Sequence, residues 1–197
     1  KLCAGGITWS GLIDRIPEHI IERSFPSQLI TTRLQRTAIN SGHPIIATVN
    51  REKLGRYMAD SAEKSGVDVV FGARVTGIST TTIEYEKNNK KNTVDYRFLV
   101  GADGSMSLVR KFLNIPVNRF GVGINYIINV SRDDMEWHFD EERFGSGYSW
   151  IFPHSTTFSA GAYIGITKKN LPEIKDNLTS WLSQMGITVI GCEFGAE

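Results

Sequence analysis

Cysteine is scarce in this chain of 197 residues, which holds only Cys3 and Cys192, near opposite ends and without a paired spacing. That excludes a disulfide framework and a paired-cysteine zinc site, and it makes a reducing compartment the default. A surplus of charge is lacking as well: 22 Lys plus Arg stand against 21 Asp plus Glu, for a formal net charge of +1. Such a balance argues against the strongly basic face that nucleic-acid binding uses. No run reaches the roughly 18 apolar residues that a membrane helix needs, and no charged start with an apolar signal core opens the chain. His154 has no His or carboxylate at helical metal spacing, and His138 falls in an expected strand, where Asp134 and Glu142 four residues away share no helix face with it. The acidic group Asp133, Asp134, Glu136, Asp140, Glu141 and Glu142 lacks the central glycine of a calcium loop, so no metal site is expected. Nucleophile-elbow and Walker patterns are absent too.

What remains is the composition of a folded α/β protein, 41% hydrophobic and 22% charged. Pro17 at a first-turn position predicts a short helix within residues 16–25. Residues 43–49 form a β-branched apolar run, and Asn50 then offers an N-cap to a helix over 51–64, in which Leu54, Met58 and Ala62 recur every four residues. Gly66 is placed to end that helix, and short strands are expected over 67–71 and 73–79. Period-two alternation over 82–86 and 94–98, around the polar stretch 87–92, predicts a hairpin. A helix is expected over 107–113. Aromatic and glycine-rich strands follow at 121–130, 135–139, 147–152 and 158–166, before a last helix over 171–185 capped by Asn170. The texture changes after Pro116, which divides the chain into 1–115 and 116–197. Opening on Lys1 rather than Met, and closing straight out of an apolar segment, the sequence is expected to be the middle of a longer protein.

The sharpest local feature is Phe98-Leu99-Val100-Gly101-Ala102-Asp103-Gly104-Ser105-Met106-Ser107-Leu108-Val109-Arg110. Its pattern predicts a strand, a glycine-bearing turn and a helix start whose free N–H groups suit phosphate oxygens. Asp103 is expected either to accept hydrogen bonds from sugar or ribityl hydroxyls or to fix the turn, with Arg110 within reach as its ion partner. Arg51, just after an N-cap, is a cation set against the helix dipole; it calls for an anionic ligand or for the neighbouring Glu52. Tyr148, Trp150 and Phe152 share a strand parity, which suits either a core stripe or an apolar wall for a ligand.

The Gly-Ala-Asp-Gly string resembles the second fingerprint of FAD-dependent oxidoreductases of the para-hydroxybenzoate hydroxylase fold. By that resemblance Ala102, Asp103 and Gly104 lie in the cofactor neighbourhood. Val49-Asn50-Arg51-Glu52-Lys53-Leu54 looks like the superfamily segment whose Arg contacts the flavin ribityl or pyrophosphate, which implies Arg51. The strand around Val75 looks like the one that abuts the adenine. Lys1-Leu2-Cys3-Ala4-Gly5-Gly6 is similar to the Lys-x-Cys-Gly-Gly-Gly segment of geranylgeranyl reductases, with Ala4 in place of the first glycine. Gly147-Tyr148-Ser149-Trp150-Ile151-Phe152-Pro153 is similar to their Tyr-x-Trp-x-Phe-Pro strand. The family's opening Gly-x-Gly-x-x-Gly loop and its later Gly-Asp-Ala segment are not in the sequence.

The resemblance implies an α/β fold that joins part of a Rossmann-like FAD-binding domain to an antiparallel substrate-binding sheet. It implies FAD as cofactor, NAD(P)H or a ferredoxin-type protein as electron donor, and hydride transfer to isolated double bonds of a prenyl chain on a lipid or pigment precursor. Cys3 becomes the catalytic candidate because reducing such a bond takes a proton as well as a hydride. Gly5 and Gly6 are implied at the flavin, and Tyr148, Trp150, Phe152 and Pro153 at the prenyl chain. A cytoplasmic protein that works at a membrane surface is the matching expectation. Two other readings remain open: an oxygen-consuming flavin monooxygenase or halogenase of the same fold, and a non-catalytic lipid-binding domain.

Overall fold

The computed structural model describes residues 3–12, 15–117, 120–165, 171–189 and 193–196. Lys1 and Leu2 of the opening motif, Asn170 and Cys192 lie outside the described residues. The chain forms two compact units, one made of residues 1–58 and 119–197, the other of residues 59–118. This partition differs from the one at residue 115 suggested by sequence texture. Its physical reason is strand pairing, which ties the early strands to the late ones.

In the first unit, β1 (Gly6–Thr8), β5 (Ile46–Val49) and β2 (Ile21–Phe25) make a three-stranded sheet in the order β1-β5-β2. All four residues of the central β5 are buried, as its continuous apolar run requires. A short helix, α1 (Trp9–Leu12), follows β1. The helix expected within 16–25 is instead a single 3-10 turn, Glu18–Ile20, followed by β2. Pairing of β2 with β5 buries Phe25 and overrides the weak local helix signal.

A seven-stranded sheet carries the remainder of this unit in the order β13-β9-β12-β11-β10-β3-β4. Its strands are β3 (Ser27–Thr32), β4 (Arg36–Asn40), β9 (Gly121–Ile128), β10 (Glu136–Phe139), β11 (Tyr148–Pro153), β12 (Phe158–Gly165) and β13 (Glu193–Ala196). The expected antiparallel sheet is there with one exception, since β10 pairs with β3 in parallel. Helix α5 (Leu171–Gln184) lays Ile174, Leu178, Trp181 and Leu182 on one face of the sheet, against Ile124, Ile151, Ala160, Ala162 and Ile164. Phe144, from the short helix α4 (Glu141–Phe144), is fully buried in the same layer.

The second unit holds a three-stranded antiparallel sheet, β6 (Arg74–Ile78), β7 (Thr82–Lys87) and β8 (Lys90–Asp95), with α3 (Leu108–Phe112). Helix α2 (Arg51–Lys64) carries the chain from one unit into the other. Asn50 caps it as expected: its Oδ1 accepts from the backbone N–H groups of Glu52 (3.0 Å) and Lys53 (3.1 Å). Gly66 ends it at φ +87°. The hairpin is tighter than its polar stretch suggested, because Asn88 and Asn89 both take positive φ and turn the chain in two residues. Residues 67–71 and 98–100 are in no strand. Val67, Phe71, Phe98 and Val100 are exposed there, so these two expected strands are corrected to irregular segments without a ladder partner among the described residues. No described helix is long and apolar enough to cross a membrane.

Gly161 shows how tightly the large sheet is built. A Cβ added there would collide with the Trp150 indole and with the carbonyl of Ile124. We predict that Gly161→Ala destabilises the fold by about 1–3 kcal/mol, read as a lower urea midpoint at unchanged m value.

Candidate functional site

In the second unit, β6, residues 99–103 and α3 enclose a cleft of about 950 Å³. Val75, Ile78, Ile83, Leu99, Met106 and Val109 give it apolar walls, and Asp103 also lines it. Two predicted cofactor residues, Val75 and Ala102, therefore meet Asp103 around one cleft. Gly104 does not line it; at φ +77° it makes the turn instead. Gly101 is needed for packing, since a Cβ there would come within 2.6 Å of Val109.

Asp103 fixes the turn. Its Oδ2 accepts from the backbone N–H of Leu108 at 2.6 Å. The Ser107 hydroxyl, followed by the backbone donors of Leu108, Asp103 itself and Val109, holds the carboxyl below its ordinary value of 3.8. Ser107 is the N-cap of α3, with its Oγ accepting from Arg110 N–H at 3.0 Å. The first donors of α3 are thus satisfied inside the protein, which corrects the expectation that they are free for phosphate. Arg110 reaches the Ser105 carbonyl at 2.5 Å rather than pairing with Asp103. The cleft's walls are mainly apolar, and the helix-start donors beside it are already taken.

Arg51, taken by itself, is an exposed cation at the start of α2 with no carboxylate partner among the described residues. The adjacent Glu52 instead pairs with Arg56 one turn on, at 3.3 Å. A bare guanidinium beside a helix N-terminus is electrostatically unfavourable until an anion joins it.

In the first unit the two reductase-like segments come together. Gly5 lies at φ +75°, and a Cβ on it would stand 2.6 Å from His154 Cε1 and 2.7 Å from the Val49 carbonyl. A Cβ on Gly6 would stand 2.8 Å from the Phe152 ring. The side of Gly5 that a larger residue would fill is thus occupied by His154. Ala4 packs on the cluster of Phe25, Ile46, Met135, Trp150 and Phe152. Cys3, next to it, is half-buried and its thiol is free.

The shared parity of Tyr148, Trp150 and Phe152 is real, and cross-strand neighbours extend the row. Trp137 of β10 lies 5.3 Å from Tyr148 and 4.7 Å from Phe152 between ring centroids. Tyr148 lies 5.8 Å from Tyr163 and 6.1 Å from Phe139. Trp150 and Phe152 are buried, so they are core, whereas Tyr163 and Phe139 are 40% and 44% exposed and leave the row open at that end. Burial, and then the neighbouring Tyr163, push the Tyr148 hydroxyl above its ordinary value of 10.0. Pro153 has the opposite parity and is buried away from the row, opposite Phe158. Trp137, Phe139, Tyr163, His154 and its partner Glu22 were not singled out as site residues from sequence. Only cross-strand register, which sequence does not show, brings them in.

Because the folded carboxyl of Asp103 is lowered, its contribution is fully present above the ordinary aspartate value near 3.8 and is lost as pH falls through the lower folded value. The protection factor of the Leu108 amide, its exchange rate normalised to that of the unfolded chain at each pH, is expected to fall over that acid range, and Asp103→Asn is expected to remove that fall. Ser107→Ala is expected to cost about 1 kcal/mol, measured by urea unfolding.

A family model described as FAD binding domain matches residues 7–181. Among curated relatives, the chain is 25% identical to an uncharacterized protein of Methanosarcina barkeri, over 95% of this chain and 50% of that protein. It is 24% identical to the chloroplastic geranylgeranyl diphosphate reductase of Nicotiana tabacum, over 82% of this chain and 40% of the relative. It is 26% identical to the digeranylgeranylglycerophospholipid reductase of Methanococcus vannielii, over 77% and 42%. The chain spans about half the length, or less, of these relatives. Among solved structures, a geranylgeranyl bacteriochlorophyll reductase-like protein from Thermoplasma acidophilum superposes with a TM-score of 0.74 at 18% identity, covering 99% of this chain and 56% of that one. A flavin-dependent brominase superposes with a TM-score of 0.66 at 17% identity, over 95% and 53%. The fold is therefore the mixed α/β fold of para-hydroxybenzoate hydroxylase-like proteins, and the chain belongs to the FAD binding domain family.

Proposed function

We propose that the protein carrying this chain is an FAD-dependent reductase of prenyl chains on a lipid or pigment precursor. The observation that carries this reading is the meeting of Cys3–Gly6 with Phe152 and His154 at the buried end of an aromatic row. FAD, when bound and reduced by NAD(P)H or a ferredoxin-type donor, supplies the hydride. Val75, Ala102 and Asp103 are the residues assigned to one part of the cofactor. Arg51, which has no carboxylate partner among the described residues, is assigned to its anionic part.

The chain's own chemistry in the first unit is proton supply and exclusion of water. The Cys3 thiol is assigned to deliver the proton to the alkene carbon that does not receive hydride. Trp150 and Phe152 form a floor, and Tyr148, Tyr163 and Phe139 form the open wall along which an apolar chain lies. A peripheral position at a membrane surface follows from the substrate proposed.

The brominase likeness favours a second reading, an oxygen-consuming flavin halogenase or hydroxylase of the same fold. Oxygen separates the two. Under argon, with photoreduced FAD and geranylgeranyl diphosphate, the reductase reading predicts products that gain one H₂ per double bond. It also predicts that Cys3→Ser slows their formation by about 10²-fold or more, the usual scale of a lost general acid. Turnover that appears only with oxygen would instead support the halogenase or hydroxylase. Retained prenyl-lipid binding without flavin uptake would make the chain a non-catalytic binding domain.

A further inference from the structure

His154 lies just past the end of β11 and is 8% exposed. Its backbone N–H donates to the Thr157 carbonyl at 2.8 Å, which fixes where the ring stands. Both ring nitrogens face oxygen. Nδ1 meets the Glu22 carboxylate of β2, and Nε2 meets the Ala4 carbonyl at 3.0 Å. A carbonyl only accepts, so Nε2 is the nitrogen placed to donate to Ala4, while Nδ1 faces the Glu22 carboxylate. This partly buried contact joins three distant stretches of chain.

A buried ionisable pair is a weak source of net stability, because desolvation offsets most of its attraction. Stability is therefore a poor reason for its presence here. The same carbonyl that His154 grips belongs to the residue after Cys3. The next residue, Gly5, has its open side filled by the imidazole and its own carbonyl held by Val49 N–H at 3.0 Å. Gly6 then pairs with Thr48, whose hydroxyl donates to the Pro153 carbonyl at 2.7 Å. The segment is held from both sides, and among the described residues the imidazole on the Ala4 carbonyl is the polar anchor nearest its Cys3 end.

We infer that His154, oriented by Glu22, is a positioning residue for the Cys3–Gly6 segment, and that its hydrogen bond to the Ala4 carbonyl sets where the Cys3 thiol stands. In the reductase reading this places the proton donor. The inference rests on that reading for its chemical consequence but not for its test.

The test reads the thiol directly, without flavin or substrate. In the full chain carrying Cys192→Ser, Cys3 is the single cysteine, and its alkylation by iodoacetamide is followed by intact mass at fixed pH. Each rate is normalised to that of the same variant unfolded in urea. His154→Phe keeps a ring without a donor, and Glu22→Leu removes the partner that orients the ring. Each is expected to raise the folded-state rate about tenfold, the scale of local opening released by one charge-assisted hydrogen bond. His154→Gln restores an N–H donor toward Ala4, and it is expected to stay within about twofold of the parent by the same measure. Circular dichroism checks each fold, and if His154→Phe unfolds, Glu22→Leu decides. Unchanged rates in both disrupting variants would overturn the inference, as would a Gln variant as reactive as the Phe variant. Global unfolding of both disrupting variants would also count against it, because the pair would then hold the fold rather than the segment.

Discussion

The arrangement of the first unit depends on what the end of β11 can hold. At Phe152 the strand presents a ring, at Pro153 a carbonyl, and at His154 a buried imidazole. Each is answered by the other sheet or by the segment leading into it: Gly6 by close approach, Thr48 by a hydroxyl, Ala4 by a carbonyl. Without a glycine at position 6 the Phe152 ring would be displaced, and without one at position 5 the imidazole would be. Two sequence segments that resemble one reductase family from opposite ends of the chain are thus parts of one packed contact. Close packing leaves no slack in such a junction, so shape is specified as well as burial.

The second unit solves a different problem. Its glycine-bearing turn has the letters of an anion-binding loop, but the Asp103 carboxylate and the Ser107 hydroxyl already occupy the donors that an anion would use. The result is an apolar-walled cleft lined on one side by a carboxyl that hydrogen bonds hold below its ordinary value. In the first unit, Arg51 is an exposed guanidinium with no carboxylate partner among the described residues. A short helix end and a carboxylate are both needed by the turn, and neither is then available as a phosphate site.

Much of this was legible in the sequence, for identifiable reasons. Helix α2 announces itself through Asn50, an every-fourth-residue apolar pattern and Gly66, all of which act locally. The parity of Tyr148, Trp150 and Phe152 follows from strand geometry alone. The sequence does not show that Trp150 and Phe152 are core while Tyr163 and Phe139 form the open end, because that depends on which strands become neighbours. Strand β2 was hidden for the same reason: Ile21 to Phe25 is held by pairing with β5 and has no strong local strand signal. His154 read as an ordinary structural histidine, since its carboxylate partner Glu22 is distant in sequence and only the fold brings them together. The Asp103 turn was recognised as special, but its letters do not say whether its donors face outward or inward.

The most direct test of the account is an anaerobic titration of FAD with the purified protein, followed by quenching of flavin fluorescence, beside the Arg51→Ala variant. The account predicts saturable quenching, with a Kd raised about tenfold or more by the substitution, as expected for a lost charge-assisted contact. Absence of saturable binding, or an affinity unchanged in Arg51→Ala, would contradict the assignment of this chain's residues to the flavin.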